Sequence, residues 1–202
     1  MASNPLEAAR PSPSHPRLEV ELVPEPCWWS NVRSIVDPPV WDRLRRQVYR
    51  QARYRCEICG GRGPQHPVEA HEVWAYDDLR RIQRLERLIA LCPACHEVKH
   101  LGLARVRGIE RRALAHLARV NGWPPETVTL YTRRAFAVWE QRSEHGWNLD
   151  LGGLDGYLSD HDELRGINER VRLEREHRAV EQLRRREELR VVRFGGDPDD
   201  DF

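Results

Sequence analysis

Hydrophobic positions along the chain change period several times, and each change marks an expected element. Trp41, Leu44, Val48 and Ala52 recur at helical spacing behind Asp37-Pro38-Pro39, which suits a helix start with proline in its first turn. Arg43, Arg46, Arg50 and Arg53 fall largely on the other faces of that helix. Gly60-Gly61 and Gly63-Pro64 then break the chain. Val68 to Trp74 reads as a strand, and Leu85 to Leu91 as a second short apolar element. A helix is expected from near Cys95 to Leu101-Gly102, and another from about Ile109 to Val120, stopped by Asn121-Gly122. Pro124-Pro125-Glu126 opens a third, with Val128, Tyr131, Ala135, Val138 and Trp139 on one face and Gly146 at its close. Trp147 to Leu158 reads as a strap that buries its Leu and Trp side chains.

The two ends lack this periodicity. Residues 1–26 carry Pro5, Pro11, Pro13, Pro16, Pro24 and Pro26 and are expected to be disordered, because such a stretch sustains neither helix nor buried strand. Order is expected to begin at Cys27-Trp28-Trp29, so residues 27–53 form a lead-in segment and helix. Residues 104–158 make a helical extension. Residues 159–194 read as a long charged helix, with Glu174 and Arg178, and Glu181 and Arg185, as favourable pairs one turn apart. Residues 195–202 form an acidic tail. The class is α+β, with a small core at 54–103.

Charge sharpens this picture. The 202 residues carry a formal net charge of only +1. Between Trp41 and Val120, however, 17 Arg and Lys face 9 Asp and Glu, a net of +8. From Gly156 onward 10 face 13, a net of −3. A basic middle with a mildly acidic extension suits a polyanionic partner, although Lys99 is the only lysine and arginine is favoured throughout. Mean hydropathy is −0.73 and no apolar run approaches a membrane span. No signal-peptide pattern opens the chain, and a cytoplasmic location is expected.

Four of the five cysteines stand as Cys56-x2-Cys59 and Cys92-x2-Cys95, the spacing of two knuckles that close a tetrahedral zinc site. Gly60-Gly61 suits the first knuckle, because backbone amides turn back toward sulfur only where the chain is unhindered. Disulfides are disfavoured without a secretion signal. Cys27 is left as a small buried hydrophobe.

The stretch between the knuckles narrows the reading. His71 lies on the first expected strand, and His96 and His100, four residues apart, share one helix face. Cys56-Glu57-Ile58-Cys59-Gly60-Gly61, His71-Glu72-Val73-Trp74 and Leu91-Cys92-Pro93-Ala94-Cys95-His96-Glu97-Val98-Lys99-His100 are together similar to a bacterial subgroup of the zinc-stapled HNH endonucleases. The resemblance spans about Arg55 to Leu101. It implies a ββα-metal core with a structural zinc on the four cysteines, embedded here in helical extensions. It also implies hydrolysis of phosphodiester bonds with one catalytic divalent ion (Mg, Mn, Ni or Zn), which neutralises developing charge.

The chain departs from the family pattern at two places. Many members carry Asp-His on the first strand, where this chain has Ala70-His71-Glu72. Many carry Asn five residues before the second knuckle, where this chain has Arg87. If His71 is the general base, Ala70 stands at the ligand position. If His71 is a ligand, Glu72 is the base, and His71, His96 and His100 hold the ion. The second register is preferred because it leaves Val73-Trp74 in the apolar positions that follow. Glu72 as a carboxylate orienting a histidine, and His100 as a helix-end residue, stay open as alternatives.

The expected partner is nucleic acid, double-stranded DNA rather than RNA, since nothing resembles a base-stacking RNA module. Arg50, Arg53, Arg55, Arg87, Lys99, Arg105 and Arg107 are its candidate contacts. The rivals are a zinc-stapled DNA-binding module without turnover and a zinc-stapled protein-interaction domain.

Overall fold

The structure is a computed structural model that describes residues 16–29, 31–158 and, between 163 and 184, residues 163, 165–174, 176–177, 180–181 and 184. In chain order, α1 (Val32–Ile35) and α2 (Pro38–Gln51) precede a hairpin of β1 (Glu69–Asp77) and β2 (Ile82–Leu91). Then come α3 (Pro93–Lys99), α4 (Leu101–Val106), α5 (Glu110–Asn121), α6 (Pro125–Ser143) and β3 (Asn148–Asp150). β1 and β2 are antiparallel and β3 joins the far edge of β2 in parallel, giving a small three-stranded sheet in a mixed α+β fold.

The elements follow from local sequence with a few shifts. α2 buries Val40, Leu44 and Val48, a four-residue repeat in which Val40 takes the inward place expected of Trp41. Arg53 and Tyr54, both left-handed at φ 51° and 56°, then swing the chain out of α2 and into Cys56. The hairpin outruns its apolar core because Asp77 Oδ1 accepts the Leu79 and Arg80 amides and so builds the turn. α3 begins at Pro93, ahead of Cys95, since proline fits the first helical position. The helix does not end at Gly102. The backbone breaks at His100 (φ −95°, ψ 46°) and resumes as α4. α5 ends at the expected place, with Gly122 in the left-handed region at φ 65°.

The expectation of disorder over residues 1–26 is corrected for residues 16–26, which are packed. Residues 1–15 lie outside the described residues. Leu18, Val20 and Leu22 alternate with Glu19 and Glu21, the period of an extended segment, and Leu18 is fully buried. The buried Asn121 clamps this segment. Its Oδ1 accepts the Arg17 and Leu18 amides at 2.8 and 3.1 Å, and its Nδ2 donates to the Leu18 carbonyl at 2.7 Å. Further on, Val20 N donates to the Tyr131 hydroxyl, Glu21 N to the Lys99 carbonyl, and Trp139 Nε1 to the Val23 carbonyl. The prolines bound the segment; they do not interrupt it.

Leu18, Ile89, Leu91, Val98, Leu101 and Leu117 form the centre of a core that also encloses Cys56, Cys92 and Cys95. The chain divides into two units, residues 1–157 and 158–202. In the second, the described residues between 163 and 184 are helical. The remainder of the expected charged helix and the acidic tail lie outside the described residues. Among the described residues, no helix is long and apolar enough to cross a membrane.

Candidate metal centres

The first centre is made by two turns of backbone. After α2, the chain from Cys56 to Gly61 folds on itself: Gly60 N donates to the Cys56 carbonyl and Cys56 N to the Gly61 carbonyl. Gly60 sits at φ 73°, where a side chain would be strained. Glu57 sews this turn to β2, its amide donating to the Ala90 carbonyl while its Oε1 accepts the Ala90 amide. The second turn is the start of α3, carrying Cys92 and Cys95.

All four Sγ atoms lie within 4.8 Å of one another, so the cluster can hold a metal ion. Its donor chemistry fits a thiolate-bound ion. Gly61 N points at Cys59 Sγ (3.4 Å) and His116 Nε2 at Cys95 Sγ (3.1 Å). Arg119 donates to His116 Nδ1, which leaves the ring proton on Nε2 and makes it a donor to sulfur. Hydrogen bonding with Cys95 holds the Cys56 thiol down at about 4 and pushes Cys95 up. Cys27 lies elsewhere, buried, and burial pushes its thiol up to about 12.

The second centre joins the hairpin to the same helix, α3. β1 directs His71 toward α3, where His96 and His100 stand one helical turn apart. The ring centres are 5.3 Å (His71–His96), 5.0 Å (His71–His100) and 4.6 Å (His96–His100) apart, and the three ligand atoms fall within 4.8 Å of one another. Burial lowers His71, and burial with the two neighbouring rings lowers His100 to about 3, so both imidazoles stay neutral and able to ligate.

Two carboxylates approach these rings from outside. Glu69 Oε2 is 2.6 Å from His96 Nδ1, and that hydrogen bond holds Glu69 below the usual carboxylate range. Glu21 Oε2 is 3.4 Å from His71 Nε2. Burial would raise Glu21, but His71, Lys99 and the Trp74 amide together hold it down. A carboxylate behind an imidazole fixes its tautomer and turns the other nitrogen toward an ion, so this donor set fits a divalent metal.

The sequence-predicted residues divide between these centres and other duties. Cys56, Cys59, Cys92 and Cys95 come together, as do His71, His96 and His100. Glu72 does not join them. It points to the opposite face of β1, where its Oε1 accepts the Val32 amide at 2.6 Å, and burial pushes it up to about 7. Lys99 is corrected as a phosphate contact: it is 2% exposed and ion-paired with Glu19 and Glu21, each at 3.1 Å. Arg87 pairs with Glu57, and Arg105 with Glu110 while lying over the Phe136 ring. Arg55 donates to the Gly60 carbonyl. Arg50, Arg53 and Arg107 are exposed and form no ion pair among the described residues.

Three residues of the centres escaped the sequence reading. Glu69 stands two positions before His71 on one strand and so shares its face, a signal present in the pattern. Glu21 lies in a Leu-Glu-Val-Glu-Leu alternation masked by the prolines around it. His116 falls on the buried face of α5 beside Ala113 and Leu117, with no chemistry next to it in sequence. In comparisons with known proteins the chain matches no family model, no curated protein and no solved structure.

Proposed function

We propose that the chain is a metal-dependent endonuclease of the HNH type, cutting phosphodiester bonds in double-stranded DNA, with residues 54–103 as its ββα-metal core. The observation that supports this reading is the pairing of two unlike centres on one helix, α3: four thiols within 4.8 Å at its start, and three imidazoles within 4.8 Å where it meets the hairpin. Four sulfurs saturate a tetrahedral zinc, so that centre is structural. Three imidazoles leave coordination positions open and suit Zn, Ni or Mn better than Mg.

His71, His96 and His100 hold the catalytic ion in this reading. Such an ion neutralises charge on the scissile phosphate and stabilises the leaving oxygen. Glu21 and Glu69 fix the orientation of two rings. Glu69, partly exposed and ionised, accepts the His96 Nδ1 proton and so leaves His96 Nε2 for the ion. Arg50, Arg53 and Arg107 meet the phosphate backbone.

The test is plasmid nicking with Mg²⁺, Mn²⁺ or Ni²⁺ against EDTA, beside a gel shift. His96→Ala should keep its zinc and its melting temperature and lose nicking. A gel shift without nicking under any of these ions would replace the nuclease with a DNA-binding module, and the absence of both would leave a protein-interaction domain.

A further inference from the structure

We infer that Glu21 is a positioning residue of the imidazole centre, and that the extended segment carrying it is part of that centre, so that docking of the segment and binding of a divalent ion favour each other. This rests on the reading that His71, His96 and His100 bind an ion; it does not depend on what reaction follows.

The side chain of Glu21 is 10% exposed, and two of its three partners can only donate. Oε1 accepts the Trp74 amide at 3.0 Å; Oε2 accepts Lys99 Nζ at 3.1 Å and faces His71 Nε2 at 3.4 Å. A backbone amide and an ammonium can only donate, so the carboxylate is committed as acceptor on both oxygens. The proton of His71 is thereby drawn to Nε2, and the lone pair is left on Nδ1 for a metal. The backbone of the same residue is also tied down, Glu21 N donating to the Lys99 carbonyl at the last residue of α3.

The anchors on either side of Glu21 lie outside the hairpin and α3. Asn121 of α5 holds Leu18, and Tyr131 and Trp139 of α6 hold Val20 and Val23. The imidazole centre therefore borrows its orienting carboxylate from a segment whose position depends on two other helices. An ion that binds better when this segment is docked must, by reciprocity, hold the segment down by the same factor.

Glu19 supplies an internal control. It sits on the same segment and pairs with the same lysine, but touches no histidine. The experiment titrates full-length, zinc-loaded protein with Ni²⁺ by calorimetry, comparing wild type with Glu21→Ala, Glu21→Gln and Glu19→Ala, with zinc counted by native mass spectrometry. Glutamine keeps the shape but must turn its amide donors onto either the Trp74 amide or the Lys99–His71 pair.

Both Glu21 variants are expected to keep one zinc per chain and to lose at least ~10-fold in Ni²⁺ affinity, while Glu19→Ala binds as wild type. Ni²⁺ should also slow proteolysis within residues 16–27 of wild type but not of Glu21→Gln. Wild-type affinity in the Glu21 variants, an equal loss in Glu19→Ala, or proteolysis indifferent to Ni²⁺ would overturn the inference and leave the nuclease reading standing. A wild type that takes up no ion beyond zinc would instead remove the imidazole centre itself, and this inference with it.

Discussion

His71 and Glu72 are neighbours in β1 and turn to opposite sides of it: the His71 ring centre lies 5.0 Å from that of His100, while Glu72 Oε1 accepts the Val32 amide at 2.6 Å. The carboxylate thus sits at the start of α1, away from the imidazole cluster. Glu72→Gln is expected to leave the nicking rate within about twofold, whereas Glu69→Gln, which frees the His96 ring, should raise the Mn²⁺ needed for nicking about 10- to 100-fold. Single-turnover nicking across a Mn²⁺ titration separates the two. A large loss in Glu72→Gln alone would return the proton-accepting role to Glu72.

Glu72 also sets a slope of stability with pH. Burial pushes its carboxyl from 4.5 up to about 7, so the folded chain keeps a proton that the unfolded chain releases. Its contribution is fully present below about 4.5 and is lost as pH rises through about 7. Between pH 5 and 7 wild type should lose stability relative to Glu72→Gln, by at most about 1.4 kcal/mol per pH unit. Urea midpoints of both proteins across that range check the sign, and a wild type that gains on the variant with rising pH refutes it.

The thiol cluster should be inseparable from the fold around it, since Cys56, Cys92 and Cys95 are buried within the core that Leu91, Val98 and Leu117 build. Cys92→Ser is expected to abolish zinc binding and cooperative melting, because in a core this small the ion supplies much of the folding free energy. Native mass spectrometry together with thermal melting tests this. An apo protein that melts cooperatively would show that packing alone suffices.

His116 donates its Nε2 proton to Cys95 Sγ from outside the four-sulfur set. Replacing it with Phe keeps an aromatic volume and removes that donor. The variant should still bind zinc but lose it to a competing chelator about 10- to 100-fold more readily. The equilibrium with a chromogenic chelator measures this, and unchanged competition would make the contact incidental.

Among the basic residues, Arg50, Arg53 and Arg107 are exposed and form no ion pair among the described residues, whereas Arg87 and Lys99 are paired with carboxylates. Each Arg→Ala change in the first group should lower the salt slope of DNA binding by about one unit. Arg87→Ala should leave that slope alone and cost the Glu57 contact, worth under about 1 kcal/mol. Filter binding at several salt concentrations distinguishes them, and an equal slope change in Arg87→Ala would contradict the assignment.

What was legible in the sequence was whatever local spacing encodes. Paired CxxC knuckles bring two thiols together within one turn of chain, and histidines four apart share a helix face; neither depends on the rest of the fold. The start of α2 and the Gly122 stop of α5 were readable for the same reason, since proline in a first turn and a left-handed glycine act within a few residues. Only the tertiary structure decided the partners reached across long separations: Glu21 beside His71, 50 residues on, and His116 beside Cys95, 21 residues on. It also decided which face of β1 met α3, and so removed Glu72 from the centre and enclosed Lys99 between two carboxylates. A pattern of alternation states that two side chains face apart; which of them joins the imidazole cluster depends on the element packed against each face, and that is settled by the burial of Leu18, Leu91, Val98 and Leu117 in one core.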